Sequence, residues 1–283
     1  MSLKLMYITN NTEVTKIAQK AGVDRIFVDM EYIGKEERQK GMNTVKSNHT
    51  VEDVKRLRPA LSKSELLVRV NPIHNETDKW GSTEEEIDEV VNAGADIIML
   101  PMFKTADDVK RFVNAVGRRT KTMLLLETRE AVDNLDEILE VDGIDEIHIG
   151  LNDLHLAYGL DFMFELLANG LVDKLCSKIS TKIKQYGFGG IARIGYGVLP
   201  AEYIIKEHYR LGSKCAILSR SFCNADKIDD IKQIEKVFGT EIENIRKTEE
   251  IVSKMTQQEL LSNHEKVKQL VNEIVNQTEN KNE

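Results

Sequence analysis

A (β/α)8 TIM barrel with a C-terminal helical extension is the fold this sequence predicts, and three observations predict it. Eight short apolar runs are spread over residues 5–219. Amphipathic segments with helix start and stop signals lie between them. The runs are almost continuously apolar, as parallel strands covered on both faces should be.

The strands are expected at 5–9, 25–30, 66–70, 96–102, 122–127, 146–150, 189–194 and 215–219. After the first comes "TEVTKIAQKAG", an apolar stripe closed by Gly22. "STEEEIDEVVNAG" opens on a capping Ser or Thr with an acidic first turn, and it too closes on glycine. "TADDVKRFVNAVG" and "TREAVDNLDEILE" repeat the form. An open doubly wound sheet is the competing architecture. It would want a glycine-rich phosphate loop after the first strand, and "YITNNTEV" offers none. The barrel is expected to fill residues 1–226, with a helical extension over 227–276 and a disordered tail over 277–283. "TQQE" at 256–259 is a capping box. Leu260, Leu261, His264, Val267, Leu270, Val271 and Ile274 then form a stripe at helical spacing. That stripe suits either packing on the chain's own barrel or an oligomer contact.

The formal net charge is −8, which gives no basic footprint for nucleic acid or an anionic membrane. No run approaches the roughly 18 apolar residues of a membrane span. No secretory leader is expected from "MSLKLMYITN". Cys176, Cys215 and Cys223 are odd in number and form no CxxC, so neither a disulfide framework nor a zinc knuckle is indicated. A reducing, cytoplasmic setting is the expectation. The scattered methionines read as core filler.

Functional residues of such barrels sit at the C-terminal ends of strands. There the sequence places Asp29, Glu31 and Tyr32 after the second strand, and Arg69 and His74 at the third. Glu127 ends the fifth, Asn152, Asp153 and His155 follow the sixth, and Arg193 lies in the seventh. Glu127 and Asp153 are 26 residues apart, one helix-plus-strand unit, so they belong to consecutive strand ends. Two converging carboxylates repel unless a cation lies between them, and a hard divalent ion suits such oxygen donors. The alternatives are that Glu127 caps its own helix or pairs with Arg129, and that Asp153 is an N-cap. Arg69 is either half of a buried ion pair or a clamp for an anion. Trp80 walls a pocket or packs on the rim.

The stretches "FVDMEY", "VRVNP", "GADIIMLPM", "ETREAVDNLDEI" and "IHIGLNDLHLAYG" resemble, in order, the HpcH/HpaI aldolase and citrate lyase β-subunit family. That resemblance implies a divalent-metal barrel acting on pyruvate-type keto acids or related acyl-CoA esters. Mg²⁺ is the first choice of ion, with Mn²⁺ or Co²⁺ also suited. Glu127 and Asp153 would be the metal ligands. Arg69 would hold the keto acid and its enolate, and the backbone of Leu151, Asn152 and Asp153 would take the carboxylate. In the aldolase branch a His follows the "D-x-E" motif and works with Asp29 as base. This chain has Tyr32 there, and a phenol near pKa 10 is a poor base at neutral pH. His49, His155 and His74 are the candidate substitutes. Arg38 and Gln39 either reach over the site or form a solvated charge run, and Arg193 contacts a second anion or a core carboxylate. The implied activity is a class II type aldolase working through pyruvate enolate, in a homo-oligomer with swapped C-terminal helices. The competing readings are an acyl-CoA ester lyase and a catalytically idle barrel serving assembly.

Overall fold

The computed structural model describes residues 2–35 and 47–282, with side chains through Gln277. Eight parallel strands pair in chain order into a closed barrel. They are β1 (Lys4–Ile8), β2 (Arg25–Asp29), β3 (Glu65–Arg69), β4 (Ile97–Leu100), β5 (Lys121–Leu126), β6 (Glu146–Ile149), β7 (Gln185–Ile191) and β8 (Cys215–Leu218). The chain divides into two compact units, residues 6–147 and residues 1–5 with 148–283. Among the described residues, no helix is long and apolar enough to cross a membrane.

In the unit 6–147, β2 and β3 are in register from Arg25 opposite Glu65 to Asp29 opposite Arg69. That register sets two chemically distinct ends. At the N-terminal end the fully buried Arg25 reaches Glu146 through two hydrogen bonds of 2.7 and 2.6 Å and Glu65 at 2.9 Å. At the C-terminal end lie Asp29 and Arg69. The middle of each strand is apolar and inaccessible to water, with Ile26, Phe27, Val28, Leu66, Leu67 and Val68 all buried.

The helices form where the caps specify. Asn11 caps α1 (Thr12–Ala21), and Gly22 ends it at φ 100°. Ser82 accepts from the Glu85 amide while Glu85 accepts from the Ser82 amide, a reciprocal box opening the helix Thr83–Asn92. Thr105 and Asp108 do the same for Ala106–Val116. Two elements depart from the sequence reading. β4 stops at Leu100, because Pro101 has no N–H for the ladder and Met102 turns to φ 54°. The single helix expected in "TREAVDNLDEILE" breaks at Asn134, whose side-chain amide donates to the Lys104 carbonyl, giving Arg129–Asp133 and Leu135–Ile138.

In the other unit, β7 begins four residues earlier than expected and ends at Ile191. Its three glycines mask the strand pattern. They are needed there: a Cβ on Gly187 would collide with the Cys215 carbonyl, and the register shifts between Gly187 and Gly190. The long helices Ile231–Val252 and Gln257–Asn282 lie in the C-terminal region, and the second runs on past 276, where the sequence predicts a disordered tail. The capping box is present, with Thr256 N–H and Oγ1 both donating to Glu259 at 2.7 and 2.8 Å. The last helix packs on its own chain. Asn263 and His264 contact the fully buried Glu207 on the helix Ala201–Arg210, each at 2.9 Å. The buried stripe takes in Asn263 and leaves Leu261 exposed, a small rotation from the expected face.

Candidate active site

The site grows from two strand ends in the unit 6–147. Asp29 closes β2 and Arg69 closes β3, and their carboxylate and guanidinium meet as a two-bond fork. Nε donates to Oδ1 and Nη2 to Oδ2, both at 2.8 Å. Arg69 Nη1 lies 3.2 Å from Glu31 Oε2. A second cation joins the cluster: Lys35 Nζ donates to Asp29 Oδ2 at 2.8 Å and lies 3.9 Å from Glu31. The Glu31 amide donates to Asp29 Oδ1 at 3.3 Å. Each Asp29 oxygen therefore accepts two bonds, close to the full capacity of a carboxylate. Burial pushes the Asp29 carboxyl up, but the Arg69 and Lys35 charges and their hydrogen bonds outweigh it and hold it well below the usual range. The same balance raises Arg69: burial opposes the charge, and Asp29, Glu31 and Glu127 more than restore it. Arg69 thus realises the buried ion pair, and its guanidinium also lies 5.8 Å from the Phe27 ring centre.

The residues after β2 are braced. Asn71 Oδ1 accepts from the amides of Tyr32 and Ile33 at 2.8 and 3.0 Å. The Asn71 side chain in turn donates to Glu86 at 2.8 Å. Burial raises the Glu86 carboxyl despite those bonds. Tyr32 sends its hydroxyl to the His49 carbonyl at 2.9 Å and stacks on Trp80, ring centres 5.7 Å apart. Burial first, then the Asp29 and Asp53 charges, raise the Tyr32 phenol. It remains a protonated donor, so the position that carries the base in the aldolase branch carries a strut here.

His49 is buried, and its Nδ1 accepts from the Asp29 amide at 3.0 Å. With that lone pair engaged, the neutral ring carries its proton on Nε2. His74 is tied to the Pro72 carbonyl and the Thr83 hydroxyl at 2.7 and 3.2 Å. Arg38 and Gln39 lie outside the described residues.

Glu127 follows β5 directly and is 3% exposed. It neither caps the next helix, a task Thr128 performs, nor stands far from the cluster, since its charge acts on Arg69. The Met102 amide donates to Glu127 Oε1 at 3.2 Å. Met102 sits at φ 54°, a region costly for a residue with a side chain, and such outliers gather at functional sites.

In the other unit, Leu151, Asn152 and Asp153 form the first turn of the helix Leu151–Ala157. Gly150 is its N-cap, so Asp153 does not serve as one. Leu151 is buried, Asn152 exposed and Asp153 half-buried. The Leu154 amide bonds back to the Gly150 carbonyl at 3.1 Å, the first intrahelical bond of this helix. His155 Nδ1 pairs with its own helix at the Leu151 carbonyl, 3.2 Å away. Arg193 lies two residues beyond β7, donates to the Ser221 carbonyl at 3.3 Å and covers the Tyr196 ring at 4.7 Å, which is not the core ion pair considered from sequence.

Lys35, Asn71, Glu86 and Met102 were not singled out by the sequence reading. Asn71 alone had a signal, in "VRVNP"; the others are revealed only by the fold-back of the loops.

A closed parallel barrel with buried carboxylates and an arginine at its strand ends defines an enzyme-like α/β barrel. The HpcH/HpaI aldolase/citrate lyase family model matches residues 4–163, and the chain belongs to that family. It is 23% identical over 185 residues to a 2-keto-3-deoxy-L-rhamnonate aldolase of Escherichia coli O17:K52:H18, covering 54% of this chain and 61% of that one. It is 30% identical over 103 residues to the protein of the same name from Escherichia coli O157:H7, covering 26% and 39%. The chain thus spans about six-tenths and four-tenths of these relatives. A crystal structure of an HpcH/HpaI aldolase from Desulfitobacterium hafniense DCB-2 superposes with a TM-score of 0.59 at 15% identity, covering 87% of this chain and 93% of that one. One from the same family in Burkholderia cenocepacia J2315 gives 0.60 at 14%, covering 82% and 95%. At those identities the two structures speak to the fold alone.

Proposed function

We propose that this chain is a divalent-metal-dependent carbon–carbon lyase that cleaves or forms a 2-keto acid through pyruvate enolate. The observation that carries the reading is Arg69, a largely covered guanidinium pinned at a barrel strand end by Asp29 and Glu31 while the charge of Glu127 acts on it. Family membership supports the reaction class, and the relatives named as 2-keto-3-deoxy-L-rhamnonate aldolases support a keto acid.

The donor set fits a hard cation. Glu127 is a buried carboxylate, and Asp153 is a half-buried one in the turn that follows the next strand. Among the described residues no group of three His, Cys, Asp or Glu could hold an ion. On the family resemblance, Glu127 and Asp153 would hold Mg²⁺, or Mn²⁺ or Co²⁺, with water and substrate as further ligands. When bound, the ion supplies Lewis acidity toward the keto oxygen.

The chain's own residues do the rest. Two of the five Arg69 N–H groups bond Asp29 and Nη1 pairs with Glu31 by charge; the remaining N–H groups suit the charge that develops on the enolate oxygen. The opening turn of Leu151, Asn152 and Asp153 presents backbone N–H groups to the substrate carboxylate. Asp29 acts as the anchor for Arg69. His49, whose Nδ1 accepts from the Asp29 amide, and His155 are the candidate acid–base groups. In cleavage a base, for which His155 is the candidate once His49 Nδ1 is engaged, takes the proton of the aldol hydroxyl, the carbon–carbon bond breaks, and its electron pair forms the enolate while an aldehyde leaves.

Oxalate, which has the shape and charge of the enolate, tests this. Calorimetry should show oxalate binding with Mn²⁺ present and little without it. Oxalate that fails to bind in either condition would overturn the reading.

A further inference from the structure

We propose that Lys35 is a second substrate-binding cation, which holds the oxygen of the acceptor aldehyde as it becomes an alkoxide. This rests on the enolate reading above and assigns the half of the substrate that reading leaves open.

Lys35 lies six residues after Asp29 and its side chain is only 7% exposed. A buried ammonium has three donors to place. One goes to Asp29 Oδ2 at 2.8 Å. The approach to Glu31, at 3.9 Å, is an ion pair too long to be a hydrogen bond. Among the described residues two donors therefore remain on a cation held beside two carboxylates. Arg69 shares the Asp29 carboxylate with it, and Oδ2 accepts from both Lys35 Nζ and Arg69 Nη2 at 2.8 Å, so the two cations meet at one anchor.

Their places in the barrel differ. Arg69 closes β3 and feels Glu127 at the end of β5, whereas Lys35 follows β2. In strand order β3 stands between β2 and β5. With the donor half assigned to Glu127 and Arg69, Lys35 is the neighbouring cation left to serve the aldehyde half. In condensation the enolate carbon attacks the aldehyde carbon. The carbonyl π pair moves onto the aldehyde oxygen, where the ammonium holds it by charge-assisted hydrogen bonds until a proton from water arrives. Cleavage is the reverse.

The test separates the two halves of the reaction in the full chain. Pyruvate methyl-proton exchange in D₂O, with Mn²⁺ present, reads enolate formation alone. Condensation of pyruvate with a panel of short hydroxyaldehydes, beginning with glycolaldehyde, reads the complete reaction. Lys35→Met should keep exchange within about threefold and lose condensation by about a hundredfold, roughly 2.7 kcal/mol by the tenfold rule. Lys35→Arg should recover part of the condensation and none of the exchange should change. Equal loss of both reactions in Lys35→Met, with the folded state verified by circular dichroism, would reduce Lys35 to a structural counter-ion. Unchanged condensation, or exchange by the unsubstituted chain with no aldehyde accepted, would equally refute the assignment. No exchange in the unsubstituted chain would instead strike the enolate reading first.

Discussion

Asp29 and Arg69, partners in the β2–β3 register, close their strands with a two-bond fork, Nε to Oδ1 and Nη2 to Oδ2, both 2.8 Å. The backbone pairing brings the two side chains together, and the fork fixes the plane of the guanidinium. Under the proposed function the arginine would meet its substrate in one orientation, at little further entropic cost.

Asp29→Asn should therefore act on both stability and binding. Removing one charge of a buried pair strands the other and costs about 3–5 kcal/mol. The wild-type carboxyl is held below its ordinary value, so its stabilisation is complete above the unfolded value near 4 and is lost as pH falls below it. Urea unfolding at pH 7 should show the full loss, with the two proteins converging in acid. A variant as stable as wild type at pH 7 would contradict the anchor role.

Glu127→Gln keeps the volume and the Met102 amide contact but removes the charge. Mn²⁺ affinity by calorimetry should fall at least about tenfold, roughly 1.4 kcal/mol. Affinity equal to wild type would remove Glu127 from the metal set.

Tyr32→Phe keeps the stack on Trp80 and deletes the bond to the His49 carbonyl. Because the phenol is raised and donates, turnover should fall by only a few fold, about 1 kcal/mol. Complete loss, with metal and oxalate binding intact, would return Tyr32 to the role of base.

His208 gives a pH prediction away from the site. It is fully buried, stacked on Phe188 at 4.0 Å, and its Nδ1 meets the Ser213 hydroxyl at 2.7 Å. Burial first, then the neighbouring His148, lowers it to about 3. The unfolded chain takes up a proton near pH 6.5 that the folded chain refuses, so stability is full above that value and declines as pH drops toward 3. The slope is about 1.4 kcal/mol per pH unit. His208→Leu should flatten the urea-stability curve by that amount between pH 6 and 4; parallel curves would count against it.

The fold was legible because strand burial and capping are local. All eight strands were anticipated, and the Ser82, Thr105 and Thr256 caps form as their side chains dictate. The misplaced boundaries have particular causes: Pro101 ends a strand that apolarity would extend, Asn134 breaks a helix, and glycines hide the start of β7. Arg69 and Glu127 were legible as charges at the ends of apolar strands. Lys35 and Met102 were not, since a loop lysine and a loop methionine acquire meaning only when the chain turns them toward Asp29 and Glu127.

Enolate formation at Arg69 and Glu127 can be followed through the pyruvate methyl protons by NMR in D₂O, with and without Mg²⁺ or Mn²⁺. Exchange should require the metal and be lost in Arg69→Ala. Absence of exchange in a protein shown separately to bind the metal, or exchange unaffected by Arg69→Ala, would contradict that assignment.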